Sequence, residues 1–517
     1  MQRDPISAAA FTAQYREACR QTDQLFALIK PAFLTARPVR ERHRLLFYIG
    51  HLEAFDWNLL SGRLFKKQPF AADYDKLFAF GIDPIGGGLP TDTPEDWPTM
   101  AQIYAYRDAV RAQIETAIPD VNFAHPLKDD QRPANHSSDP RTLSQNLSAG
   151  VDANADADAA TLLQVAIEHR QMHVETLAYL IHQMPVSQKC VPEDQQRLSG
   201  NPGDRALGED DMFAAGRPGL LAALSKTESD MVRIDAGNVV MGLPRARGGY
   251  RASTESEVDR AAMSNLNGGL EQRSDTQFSP QFGWDNEYID ADKQCVSVER
   301  FWIDRHMVSN GDFLAFVDAG GYHDAQYWQP EDWVWRYSSA LEHPAFWERD
   351  GNTWLLQTMF ERRVLPLDWP VYVSHAEARA YAHFVGKRLP SEAEWMRAAL
   401  GAAQADQPPV EGNFDFRHWD PVSVRAYPRN RSQFDVHGQF GNGWEWTGDR
   451  FAPFPGFRAF SFYPGYSADF FDDRHFVMKG GSPRTASRVL RPTFRNWFQP
   501  HYPYVYAGFR CVSDQSR

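Results

Sequence analysis

Two histidines four residues apart, His169 and His173 in the stretch EHRQMHVET, are the first side chains that could do chemistry together. On a helix this spacing puts both imidazoles on one face, a two-toothed claw for a transition metal. A third histidine, His51, sits inside the apolar run FYIGHLEAFDW, where an imidazole needs a polar partner. Each signal also has an ordinary reading. A core histidine is more often hydrogen-bonded than metal-bound. Paired histidines at i, i+4 also occur on helix surfaces by accident.

Four helical segments must position these groups. Apolar periodicity predicts helices over 8–30, 39–65, 98–118 and 158–184, with His51 on the second and the histidine pair on the fourth. Such helices with apolar stripes predict a four-helix bundle. The Thr- and Pro-rich stretch PTDTPEDWP suits the start of the third helix. Residues 124–157, rich in Asn, Asp, Ser and Ala, read as a long surface loop. The expected division is a helical domain over 1–195, a connector over 196–230 and a second domain over 231–517.

From Met231 onward Gly, Pro and aromatic residues become frequent and helical periodicity shortens. VRIDAGNVVMG reads as strand, turn and strand, and VSVERFWIDRHMVSNGDFLAFVDAGG as a strand followed by a helix. SHAEARAYAHFVGKRLPSEAEWMRAAL reads as helix, turn and helix, and 243–280 as an insertion. This is a mixed α+β domain built largely from loops around aromatic cores. Trp444 and Trp446 are expected in that core, with Asp449 and Arg450 as a structural pair.

Composition narrows the class. The chain has 517 residues, 43% of them hydrophobic, enough for two cores. Lys+Arg of 54 against Asp+Glu of 67 gives −13, which argues against nucleic acid or an anionic membrane as partner. The four cysteines, Cys19, Cys190, Cys295 and Cys511, are far apart, so neither a disulfide framework nor a zinc ribbon is expected. The N-terminal stretch has no apolar core of a signal peptide, and no run of 18 apolar residues occurs. A cytoplasmic location is the expectation. Oligomeric state is not legible.

GHLEAFDW together with EHRQMHVET resembles the DinB-like domain of the EgtB/OvoA-type sulfoxide synthases of ergothioneine and ovothiol biosynthesis. The second half resembles their formylglycine-generating-enzyme-like, C-type-lectin-like domain. The matching pieces are GNVVMG, FWIDRHMVSNGDFLAFV, GKRLPSEAEWMRAAL, GQFGNGWEWTGDRFAPFPGFRAF, MKGGS, TFRNW and AGFRCV, in the family's order. The resemblance implies an O2-dependent non-heme Fe(II) enzyme that joins a sulfur or selenium donor to the imidazole of N-α-trimethylhistidine (hercynine). It implies His51, His169 and His173 as iron ligands. Three neutral imidazoles leave up to three positions open on an octahedral ion, as an O2-activating site requires.

The resemblance further assigns Tyr463, in FYPGYSADFF, as the catalytic phenol that delivers a proton or a hydrogen atom, with Tyr466 as a second substrate-facing tyrosine. Without it, Tyr463 reads as a core aromatic. Asn496 and Trp497 of TFRNW are implied at the betaine, whose trimethylammonium is recognised by aromatic faces. The site is expected between the two domains.

Departures from the family bear on the donor. Members that use γ-glutamylcysteine have arginines after the second helix, an acid directly after RNW and an arginine four positions later. Here these read IDPIGGGLPTD, Phe498 and Tyr502, so an arginine clamp for a charged peptide is missing. A selenosugar donor, as in the related selenoneine synthase, is favoured slightly over cysteine. Met172 stands where the family often has a glutamine that bonds the betaine carboxylate. Rival classes are an ovothiol-type synthase, a zinc-dependent DinB-type thiol transferase and a non-catalytic binding protein. Formylglycine-generating chemistry is excluded, since KGGSPRTASRVLRPTFRNW lacks the necessary close cysteines.

Overall fold

Ser7, Thr99 and Asp158 each accept a hydrogen bond from a backbone N–H of the next turn, and each opens a long helix. A short polar side chain before an apolar run satisfies the free N–H groups of a first turn. The computed structural model describes residues 7–80, 89–123, 158–192, 230–245, 282–400 and 411–515. The expected loop at 124–157 and nearly all of the connector at 196–230 lie outside the described residues.

The N-terminal half contains α1 (Ala8–Ala27), α2 (Leu45–Leu60), α3 (Ala72–Phe80), α4 (Met100–Ala117) and α5 (Ala159–His182). The four anticipated helices are present with shorter bounds, and α3 is an additional one. The expected start of α2 at 39 is corrected to Leu45, because the segment before it folds back: the N–H groups of Leu45 and Leu46 donate to the carbonyls of Ala36 and Leu34. Its end is set at Leu60, followed shortly by Lys66 in the left-handed region (φ 55°).

The central helix is α2, packed against α3, α4 and α5 and buried nearly all round. It nevertheless buries two acids, Glu53 and Asp56. Arg170 of α5, itself fully buried, pairs with both: its Nε–H donates to Asp56 at 2.6 Å and its terminal amino groups reach Glu53. Removing one partner from such a buried cluster costs about 3–5 kcal/mol. The cluster therefore locks the register of α2 against α5.

In the C-terminal half the chain runs β1 (Met231–Ile234), β2 (Gly237–Val240), β3 (Leu243–Arg245), β4 (Tyr288–Asp290), β5 (Cys295–Val298), β6 (Phe301–Asp304) and α6 (Asn310–Asp318). It continues through α7 (Pro330–Ser338), β7 (Trp347–Asp350), β8 (Thr353–Gln357), β9 (Arg362–Val364), α8 (His375–Phe384) and α9 (Glu392–Leu400). The last elements are β10 (Gly443–Arg450), β11 (Phe476–Gly481), β12 (Asn496–Phe498), β13 (Ala507–Gly508) and β14 (Val512–Ser513). The expected insertion at 243–280 is corrected at its start, because residues 243–245 pair with β4 in parallel; the rest lies outside the described residues.

The sheet that matters for the site has strand order β12-β11-β10-β13, with β10 antiparallel to β11 and β11 antiparallel to β12. Trp444 and Trp446 of β10 are buried. Asp449 and Arg450 do not pair with each other. Asp449 accepts from the backbone N–H of Glu392 at the start of α9, and the Arg450 guanidinium lies over Phe476. Among the described residues no helix is long and apolar enough to cross a membrane.

Two acids two turns apart on α5 tie the halves together. Glu168 accepts from Arg491 at 2.9 and 3.0 Å and from Trp284 Nε1–H at 2.9 Å. Glu175 accepts from Trp444 Nε1–H at 2.6 Å and from the hydroxyls of Ser482 and Thr485. Arg491 is shared with Glu287, also buried, so one guanidinium serves two carboxylates in a connected network.

Candidate metal centre

Ligand nitrogens of His51, His169 and His173 lie within 4.8 Å of one another, where α2 meets α5. Among the described residues this is the one group of three or more metal-ligating side chains so arranged. The ring centroids are 5.5 Å apart for His51 and His169, 4.9 Å for His51 and His173, and 4.5 Å for His169 and His173.

The protein prepares each ring differently. His51 Nδ1–H donates to the Phe78 carbonyl of α3 at 2.8 Å, which leaves Nε2 with the lone pair. That bond requires α2 and α3 to touch. Gly50 permits it, since a Cβ there would lie 2.4 Å from the Phe78 ring. His169 is stacked under Phe55. His169 and His173 each keep a buried Nδ1 with no hydrogen-bond partner among the described residues. Buried polar nitrogens without partners are costly, and a metal bond relieves that cost.

All three imidazoles are held neutral. Burial lowers the His51 pKa to about 4, against the opposing pull of the Phe78 carbonyl. Burial, followed by the neighbouring histidines and Arg170, holds His169 well below its usual value. His173 is lowered by burial, then by His51 and Arg42. Neutral imidazole is the ligating form. The donor set is three nitrogens with no thiolate and no carboxylate, which fits a divalent first-row metal.

The C-terminal half brings Tyr463 and Tyr466 to this cluster. The Tyr463 ring is 5.2 Å from Phe55 and 6.4 Å from His169. Burial pushes its phenol up to about 12, aided by Asp285 and Asp469. Tyr466 is stacked on Trp284 at 4.0 Å, and its Oη–H donates to Met172 Sδ at 3.4 Å. Met172, one residue before His173, thus has a partner across the interface. Trp497 meets Tyr466 edge-on at 5.4 Å and stacks on Phe451 at 4.1 Å.

The remaining expected residues lie further along. Asn496 is half-buried at the start of β12 and accepts the Trp497 N–H through its own Oδ1. Phe498 and Tyr502 stack on each other at 5.2 Å and pack against Tyr179 of α5 rather than against Tyr463. The glycine-rich donor loop lies mostly outside the described residues. Sequence reasoning missed Phe55, Phe78, Trp284 and Arg42. Phe55 had a signal: it follows His51 at i+4 and so shares its face of α2.

Comparison with known proteins covers both halves. Residues 14–177 match the DinB superfamily, and residues 219–515 match the sulfatase-modifying factor enzyme 1-like domain. A hercynine oxygenase of Mycobacterium tuberculosis is 36% identical over 232 residues, covering 42% of this chain and 54% of that protein. Ergothioneine biosynthesis protein 1 of Neurospora crassa is 23% identical over 561 residues, covering 93% of this chain and 55% of that protein. Its namesake in Schizosaccharomyces pombe is 25% identical, covering 92% of this chain and 52% of that protein. The chain thus spans about half the length of these curated relatives. With that domain filling more than half of its length behind a DinB superfamily domain, the chain belongs to the sulfatase-modifying factor enzyme 1-like family, in the two-domain form of the EgtB/OvoA type.

Proposed function

We propose that the chain is a non-heme Fe(II)- and O2-dependent oxidoreductase that joins a chalcogen donor to the imidazole ring of hercynine. The observation that carries this reading is the cluster of three imidazoles whose ligand nitrogens lie within 4.8 Å of one another, with the Tyr463 ring 6.4 Å from that of His169. The names of the relatives, hercynine oxygenase and ergothioneine biosynthesis protein, support hercynine as the acceptor. A selenosugar is favoured as the donor, with cysteine next, and γ-glutamylcysteine is disfavoured because the stacked Phe498 and Tyr502 stand at the positions that carry charge in its users.

His51, His169 and His173 would hold the iron, which when bound supplies O2 activation and open positions for the two substrates. The balance is one donor X–H, one ring C–H and one O2 giving a carbon–chalcogen bond, one oxygen on the chalcogen and one water. Tyr463 holds its proton at Oη through the neutral pH range and faces the His169 side of the cluster, so it is the group to deliver hydrogen there. Trp497 and Tyr466 present aromatic faces for the trimethylammonium. Trp284 holds Tyr466 in place by stacking.

The test is a donor competition. Protein loaded with Fe(II) receives O2, hercynine, cysteine, γ-glutamylcysteine and a selenosugar together, and products are read by mass spectrometry. A selenium adduct as main product is expected. A cysteine adduct would change the donor and keep the reaction class. No adduct from any donor would overturn the proposal.

A further inference from the structure

Arg42 stands out among the arginines before α2. Its neighbours Arg37 and Arg44 both pair with Asp92. Arg42 pairs with no carboxylate among the described residues. Its Nε–H donates to Tyr502 Oη at 2.9 Å, and its terminal amino groups have no hydrogen-bond partner among those residues. Three rings surround it: its guanidinium carbon is 5.2 Å from the Tyr502 centroid and 6.0 Å from those of Tyr179 and Phe498. Burial pulls its pKa down, but the oxygens of Tyr179, Tyr502 and Tyr48 more than reverse this, so the group stays cationic.

A guanidinium in an aromatic setting between two domains, with donors left over, is half of an anion site. It lies close to the candidate centre. Tyr179 follows His173 by six residues on α5, about 9 Å along the axis at 1.5 Å per residue. Tyr48, which adds to the field at Arg42, is 5.8 Å from the His173 ring. Arg42 and Tyr463 thus approach the three histidines from the His173 and His169 sides respectively.

We infer that Arg42, framed by Phe498, Tyr502 and Tyr179, is a positioning residue that binds the α-carboxylate of an amino-acid-type substrate. It fills the role left open by Met172, whose thioether cannot bond a carboxylate well, and by the uncharged residues at 498 and 502. The inference rests on the proposed function for the identity of its ligand. That carboxylate belongs either to the betaine or to an amino-acid donor, and the two sources are separable.

The test uses the full chain, metal-loaded and free of O2, with binding read by calorimetry. Hercynine is compared with its decarboxylated analogue, trimethylated histamine, and cysteine with cysteamine. In the wild type, one carboxylated ligand is expected to bind at least about tenfold more tightly than its decarboxylated partner, as a charge-assisted fork warrants. Arg42→Met should erase that preference while leaving bound metal and the affinity for the decarboxylated ligand unchanged. Arg42→Lys should restore part of it. A preference in the hercynine pair assigns the site to the betaine, and one in the cysteine pair assigns it to the donor. If the wild type binds hercynine and Arg42→Met keeps any preference intact, or if no preference exists, the inference is overturned and the proposed function stands. If the wild type binds neither hercynine nor cysteine, both readings fall.

Discussion

Phe55 lies face to face with His169, ring centroids 3.5 Å apart and planes 13° from parallel. One helix, α2, therefore carries a candidate ligand, His51, and the plate that orients a second one. Phe55→Ala should weaken metal affinity about 10–100-fold, the usual loss when a ligand's outer support is removed. Competition against a chelator measures this, with circular dichroism as the check on folding. Wild-type affinity in the variant would remove the orienting role from Phe55.

The three histidines should act as a set. His169→Ala is expected to lose stoichiometric iron, measured by elemental analysis of the purified protein. His51→Ala and His173→Ala should do the same, since two imidazoles are a weak hold on a divalent ion. Stoichiometric iron in any of the three would refute the triad.

Tyr463 does not touch the histidine nitrogens through a hydrogen bond, so its loss should spare the metal. Tyr463→Phe is expected to keep iron while bond formation falls about 10²–10⁴-fold, the range for a positioned proton donor, or diverts to oxidation of the donor alone. Product ratios by mass spectrometry decide this. An unchanged product at an unchanged rate would end the catalytic assignment.

Acid should act on a histidine outside the three-histidine cluster. His375, at the start of α8, is buried, stacks on Phe476 at 3.8 Å and has its Nε2–H directed to the Thr447 carbonyl. Burial lowers its pKa from 6.5 to about 3. The unfolded chain takes up a proton near pH 6.5 and the folded one does not, so stability falls as pH drops from 6.5 toward 3. The slope from this one group is about 1.4 kcal/mol per pH unit. Denaturant unfolding of the wild type and His375→Gln between pH 7 and 5 should show a shallower dependence in the variant. Equal slopes would remove His375 as a source of acid sensitivity.

Much of the candidate site was legible because it is local. His169 and His173 share a helix, so their spacing alone puts them together. The caps at Ser7, Thr99 and Asp158 follow from side-chain chemistry in the next turn. What escaped was non-local or weakly patterned. The short helix α3 carries Asp73, Asp75 and Lys76 among its apolar residues, so its stripe is faint, yet it supplies the carbonyl that sets the tautomer of His51. Trp284 and Arg491 reach Glu168 from more than 100 residues away, and no period encodes that. Arg42 lies in a fold-back segment where periodicity has no meaning. Glu168 and Glu175 left a trace, two acids seven residues apart and therefore on the same side of one helix.

Those two acids bracket the histidine pair on α5, and both take their strongest donors from the other domain. Docking and ligand geometry are therefore thermodynamically linked. With the proposed ion in place, whatever tightens the fit of the two halves would tighten the hold on it, and the ion would in turn favour the docked arrangement. A helical half cut away from its partner would retain all three histidines and yet strip two carboxylates of their hydrogen-bond donors, among them the Arg491 guanidinium on Glu168. If the three histidines hold the proposed ion, its affinity would report how well the two halves are docked, without any substrate present.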